Sequence, residues 1–418
     1  MTVRPNKKTI RVPSVGIRTP SRGIEYAYYL SIAYSMFGPA LGLAIPFVAG
    51  QLTLFIAAIC VWQLRASLKM VYSPIILLLA SGISLVLIQV IVYDASLVSD
   101  NIRSLIAGYL QLVTIYSLSL RRGFSLRFPL VLFILGAMVL PFLTLNPGEV
   151  EKARVDSSVI QGTLTHPGGL GEWFGFCAVY FAILGLESER FKYRVGAWLA
   201  AVASLLVATL SVERGPIFGT VLAITFGFRR VIKRGFLPVV LLIILTGVLS
   251  VSGLFDQAVS HYSQRGMEET GRETLWPEAI ERISTSPLLG VGLANTGNPG
   301  PHNSFLFFAL SSGVVPLAFY TAFWIQVAWR SAVHAKGRED QSFRIPYLIF
   351  VFITAMLTDT GFMSYFGFFA FSLGARSAIM YRYRKQRPGV IRAGDKGKRG
   401  PLPGLRSPET ISVGRHRL

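Results

Sequence analysis

The sequence predicts an all-α, polytopic integral membrane protein of about twelve transmembrane helices, with one large loop between helices nine and ten. Three observations carry this expectation. Of the 418 residues, 52% are hydrophobic and 15% charged, against about 25% charged in an ordinary soluble domain. The apolar residues gather in runs close to the ~20 residues that a ~30 Å bilayer core requires. The charges between those runs sort by side. Together these exclude an ordinary soluble enzyme, a disordered chain and a DNA-binding module.

The runs place spans at about 26–44, 46–64, 72–92, 103–120, 128–146, 170–186, 195–211, 215–228, 235–255, 304–327, 345–358 and 361–380. The first two share one continuous run, interrupted by Gly38-Pro39 and Pro46. The segments 215–228 and 345–358 are short for full crossings, so flanking residues must contribute or the chain must re-enter. Residues 1–25 form a basic N-terminus, 26–380 the membrane domain, and 381–418 a basic tail whose Arg, Lys, Gly and Pro content predicts disorder. The first span follows a basic segment and is too long for a signal-peptide core, so it is expected to remain as an anchor.

With the N-terminus in the cytoplasm, 34 of the 41 Lys and Arg residues fall on the cytoplasmic side, and 14 of the 21 acids fall on the other. Positive charge stays on the cytoplasmic side during insertion, so an even number of spans with both ends inside fits. The net charge of +20 is then a topology signal, not a nucleic-acid one. The tail suits anionic lipid headgroups. Two cysteines, Cys60 and Cys177, both in apolar runs, exclude a disulfide scaffold or a cysteine-rich zinc site.

Two outer loops are longer than helix connections need: 147–169 and about 256–303. The second concentrates the unusual residues. Within it TLWPEAIERIS reads as a short helix, with Thr274 as its cap and Pro277 in its first turn. Leu275, Ala279, Ile280 and Ile283 would form an apolar face lying on the outer leaflet. Trp276 suits the membrane–water interface. Glu278 and Arg282, four apart, are expected to pair.

Arg272 precedes that helix and, like Arg265, has no acid of the helix three or four residues from it. Arginine offers a planar fork of donors matched to phosphate oxygens, and helix N-termini favour anions; the plainer reading is a solvated loop charge. Gly290 and Gly292 lack the strand–turn–helix setting of a nucleotide-binding loop and are expected to permit tight backbone packing against the membrane. His302 and Asn303 open span ten. Neutral imidazole there can take a proton from a hydroxyl; the plainer reading is a capping or interfacial histidine. Arg214, beside Glu213 between two apolar runs, either faces a cavity or makes a connector pair. Asp359 in a short outer turn and Glu172 at the head of span six are weaker candidates. There is no D-x-D, no His pair at ligand spacing and no G-x-S-x-G elbow, so no metal, cofactor or serine nucleophile is expected.

In order along the chain, GRETLWPEAI, SPLLGVGLAN and PHNSFLFFALSSGVVP resemble the core signature of the O-antigen ligase and O-antigen polymerase superfamily. The matching positions are Gly271-Arg272, Trp276, Pro287, Gly290, Gly292, His302-Asn303 and Gly313, with Arg214 in LSVERGPIFG matching the family's arginine at the outer edge of a span. Pro316 stands where ligases usually carry Gly, Thr or Tyr, which keeps polymerases of O-antigen or exopolysaccharide in view. The resemblance implies a bacterial inner-membrane glycosyltransferase acting on the periplasmic face. Its donor would be an undecaprenyl-diphosphate-linked glycan, and its acceptor a second lipid-linked glycan or lipid A-core. It implies an inverting reaction without a metal. It makes His302 and Arg272 catalytic, with Arg214, Arg265, Asn303 and Trp276 as substrate-binding residues. A transporter or flippase of a lipid-linked or anionic solute is the rival reading; it calls for paired halves and midplane charges, and the sequence has no visible half-to-half symmetry.

Overall fold

A computed structural model describes residues 22–37, 56–59, 73–96, 100–119, 144–145, 155–156, 167–188, 190–210, 214–228, 272–297, 300–334, 344–358 and 367–372. Helices dominate these residues. They are α1 (Arg22–Phe37), α2 (Ser73–Val92), α3 (Asp100–Ser119), α4 (Pro167–Glu187), α5 (Phe191–Leu210), α6 (Arg214–Phe228), α7 (Arg272–Thr285), α8 (Ser304–Ser312), α9 (Val314–His334) and α10 (Arg344–Leu357). Residues 367–372 are also helical. One small departure from the all-α expectation is a two-residue antiparallel ladder, β1 (Thr144–Leu145) on β2 (Val155–Asp156). The expected spans 46–64 and 128–146 lie mostly, and 235–255 wholly, outside the described residues, as do the N-terminal segment up to Ser21 and the tail from Tyr381.

Ser73–Val92 and Phe191–Thr209 are long and apolar enough to cross a membrane; Gly171–Leu186, Gly215–Phe226 and Ile345–Leu357 are shorter apolar helices. In α2 the reason for an apolar surround is visible. Pro74 is tolerated in the first turn, where its missing N–H is not needed. Leu78, Leu85 and Gln89 are buried, while Ile76, Ile83, Leu87 and Ile91 form an exposed stripe at helical spacing. A helix apolar on both faces needs an apolar solvent on the outer one.

Helices α2 and α9 pack together and run antiparallel. At one end Arg330 Nη2 donates to Ser73 Oγ (2.5 Å), which donates to Gln326 Oε1 (2.9 Å). At the other end the last turns of α2 meet the chain around Gly290 and Gly313. Helices α4, α6 and α10 form a second group. Small residues let them approach: a Cβ on Gly175 would fall 2.7 Å from Thr220 Oγ1, and one on Gly219 would meet Phe350 and Ile353. Phe176 stacks on Tyr347 (5.2 Å), while Tyr320, Trp324, Phe352 and Phe371 carry an aromatic layer from α9 into α10 and 367–372.

The expected tenth span, 304–327, is not one helix. It breaks at Gly313, whose φ of 75° and ψ of −162° lie outside helical values. The cause is an exchange of hydrogen bonds. The Val314 amide, which in a continuous helix would donate to the carbonyl of Leu310, donates to Pro287 instead (3.0 Å), and the Leu310 carbonyl accepts from Val291 (2.7 Å). Backbone therefore presses on backbone. A Cβ on Gly313 would lie 2.1 Å from the Leu288 oxygen, and one on Gly290 would lie 2.5 Å from the Leu310 oxygen. Of the pair expected to pack against the membrane, Gly290 serves this crossing, and a Cβ on Gly292 would meet the Tyr93 ring at 3.1 Å. The break also accounts for Pro316: it falls in the first turn of α9, where proline needs no donor.

Candidate functional site

Helix α7 starts at Arg272, two residues before the expected cap at Thr274, so Thr274 lies inside the helix and Pro277 beyond the first turn. Arg272 is thus the first helical residue and does not precede the helix. Ala279 is buried, with Leu275 and Ile283 partly buried along the same stripe. Ile280, expected on that face, is 57% exposed, because it points about 100° away from Ala279 on the helical wheel. The inner stripe packs on α8. Arg282 does pair with Glu278 (3.9 Å) and also donates to the carbonyl of Asn295.

Arg272 and Trp276 are one turn apart and share a face, as i and i+4 residues do. Trp276 Nε1 donates to the carbonyl of Pro301 (2.9 Å), the residue before His302. Arg272 Nη2 donates to the carbonyl of Leu357, at the end of α10 (3.2 Å). Its Nε is buried with no hydrogen-bond partner among the described residues. The next carbonyl along, that of Thr358, accepts from Ser304 Oγ (2.9 Å). A Cβ on Gly215 would touch Leu357 at 3.1 Å, so the chain beside Arg214 also reaches the end of α10. Arg214 is the first residue of α6; its side chain is outside the described residues, as are Arg265, Glu213 and Asp359. Glu172 lies in α4, partly buried.

His302 is partly buried and has φ of 49°, in the left-handed region. Histidine visits that region more often than most residues, though rarely. Its neighbours hold it there: Trp276 grips Pro301, and Asn303 is locked as the N-cap of α8. Asn303 Oδ1 accepts from the amides of Phe305 (2.9 Å) and Leu306 (3.2 Å), and the residue is 4% exposed. Capping belongs to Asn303, not to His302. Strain retained by surrounding contacts is frequent where a side chain must be aimed.

The structure thus brings Arg272, Trp276, His302 and Asn303 together with the start of α6. Sequence reasoning missed Ser304 and the carbonyls of Leu357 and Thr358 at the end of α10, and also Gln89 in α2 and Tyr93 just after it. Gln89 carried a usable signal: it is the lone amide in SPIILLLASGISLVLIQVIV. Gln89 Nε2 donates to the carbonyl of Ser311 (2.7 Å) and to Ser312 Oγ (2.8 Å), and its Oε1 accepts from the Leu293 amide (2.8 Å). Tyr93 donates to the carbonyl of Gly290 (2.6 Å).

No curated protein matches the chain. Residues 199–321, which run from α5 through α6 and α7 to the first turns of α9, match the family model described as O-antigen ligase. Residues 199–321 thus resemble an O-antigen ligase domain, and the described part of that domain includes Arg272, Trp276 and His302-Asn303.

Proposed function

We propose that the protein transfers a glycan from undecaprenyl diphosphate to an acceptor hydroxyl on the periplasmic face of a bacterial inner membrane, as an O-antigen ligase or a polymerase of O-antigen or exopolysaccharide. The O-antigen ligase domain supports glycosyl transfer by a membrane-embedded protein. The carrier, the acceptor (lipid A-core or a second lipid-linked glycan), the twelve-span topology and the two cytoplasmic termini are our reading.

The observation that carries it is the meeting of Arg272 and the His302 segment at the end of α10. Arg272 stands at the N-terminus of α7, where a cation opposes the helix dipole at a cost of about 0.3–1 kcal/mol. An anion bound there reverses the sign, because the dipole and the guanidinium then act together. In the proposed reaction the acceptor oxygen attacks the anomeric carbon and gives its proton to His302. The bond from that carbon to the diphosphate breaks, and the electron pair leaves with the diphosphate, whose charge Arg272 and Arg214 offset. Arg265 is a further phosphate contact in this scheme. Asn303 and Trp276 hold the His302 segment. Direct inversion follows from a single displacement without a covalent intermediate.

The broken helix α8–α9 is a device that transporters also use. Here the freed groups are taken: Val314 by Pro287, Leu310 by Val291, and Ser311 by Gly292 and Gln89. That leaves the break a structural joint, and the transfer reading stands ahead of transport.

Deletion of the gene followed by gel analysis of surface glycan tests the proposal. Single repeats capped on lipid A-core identify a polymerase, and full-length chains stranded on the carrier identify a ligase. Unchanged glycan with altered solute uptake overturns the reading. Labelling a cysteine placed at exposed Glu281 with an impermeant maleimide is expected to succeed in intact spheroplasts; protection there until the membrane is opened contradicts the periplasmic assignment.

A further inference from the structure

We infer that Gln89 is a positioning residue for His302, acting through the far end of α8; this rests on the transfer reading above. Gln89 lies on α2, outside the matched segment 199–321, and is 1% exposed. Its amide spans two pieces of chain. The nitrogen holds the end of α8 through the Ser311 carbonyl and the Ser312 hydroxyl, and the oxygen holds the loop through the Leu293 amide. Only one orientation of the amide works. Reversing it would set its oxygen against a carbonyl and its NH2 against an N–H.

The last carbonyls of a helix have no partner within it. In α8 the Ala309 carbonyl accepts from Gly313, Leu310 from Val291, and Ser311 from Gly292 and Gln89. Tyr93, one turn beyond Gln89, closes the same loop by donating to Gly290. The C-terminal end of α8 is therefore bound to α2, while its N-terminal end is the Asn303 cap that carries His302. A nine-residue helix, about 13 Å long, is stiff at that scale. A shift at the Gln89 end reaches His302, whereas Arg272, on α7 and tied to α10, stays with the donor. Gln89 thus sets the acceptor-side group without touching substrate.

The test uses the full-length protein in nanodiscs. Carrier-linked glycan extracted from a strain lacking the gene serves as donor, and membranes of that strain serve as acceptor. For Gln89→Met, kcat is expected to fall about 10- to 100-fold, the range that small misplacement of a reacting group produces, with the donor KM within about two-fold of wild type. Amide exchange should quicken at 291–293 and 310–314 and not elsewhere. Tyr93→Phe, which removes only the loop-side bond, should give a smaller fall. Gln89→Glu keeps an acceptor for Leu293 but sets its second oxygen against the Ser311 carbonyl, so it should also lower kcat and quicken exchange at the same amides. Unchanged kcat, a rise in donor KM alone, or loss of activity with unaltered exchange at 291–293 overturns the inference. If Gln89→Met fails to fold, Tyr93→Phe and Gln89→Glu decide by the same kcat and exchange criteria. Failure of the transfer reading shows differently: the wild-type protein then forms no transfer product, while exchange at 291–293 still responds to Gln89→Met.

Discussion

Arg272 and Ser304 donate hydrogen bonds to consecutive backbone carbonyls, those of Leu357 and Thr358, at the end of α10. The carbonyls at a helix C-terminus have no partners of their own. Here that shortage joins a guanidinium on α7 to the segment that begins α8. The matched segment 199–321 does not include α10, yet α10 supplies the surface on which its parts meet.

Arg272→Ala is expected to lower glycan transfer by about 10²–10³-fold, the usual cost of removing a group that stabilises developing negative charge. Arg272→Lys should recover only part of this, because an ammonium lacks the planar fork. Quantifying surface glycan at matched protein abundance checks both; wild-type glycan in Arg272→Ala removes Arg272 from the mechanism.

For position 302 the backbone and the imidazole can be separated. Asparagine tolerates left-handed φ, so His302→Asn should fold like wild type and lose transfer. His302→Ala adds strain of about 1–3 kcal/mol and should also lower thermal stability. Melting curves alongside transfer assays separate the two effects.

Trp276→Phe keeps an aromatic ring but removes the donor to Pro301. We expect a partial loss of transfer, about ten-fold, as the His302 segment loosens, with insertion unaffected. Asn303→Ser preserves a cap and should keep most activity, whereas Asn303→Ala should cost about 1 kcal/mol of stability. Loss of transfer in Asn303→Ser, equal to that of His302→Asn, would show that Asn303 contacts substrate directly.

Gly313→Ala and Gly290→Ala should each destabilise the fold by more than about 1–3 kcal/mol, since positive φ and a backbone clash combine. Gly196→Ala is the control. It lies in α5 with nothing within 4 Å of the added Cβ, and should be neutral or stabilising by up to about 1 kcal/mol. Thermal unfolding in detergent compares the three.

Much of the helical plan was legible because apolar run length is a local property. The expected spans 72–92, 103–120, 170–186, 195–211 and 345–358 lie within four residues of α2, α3, α4, α5 and α10 at either end. The Glu278–Arg282 pair followed from spacing alone, and the signature marked Arg272, Trp276 and His302-Asn303 as one set. Local pattern failed where distant backbone intervened. Nothing in SFLFFALSSGVVPLAFY forbids a continuous helix except Gly313 and Pro316, each tolerable by itself. The break comes from the loop at 287–291, which takes over the hydrogen bonds of Leu310 and Val314. Gln89 was likewise readable only as a polar residue in an apolar run; its three partners lie more than 200 residues away. Composition and periodicity determine which segments enter the bilayer, since the bilayer acts on each segment separately. Which backbone groups those segments lend one another is decided only when they pack, because a donor cannot choose its acceptor until both share the same few ångströms.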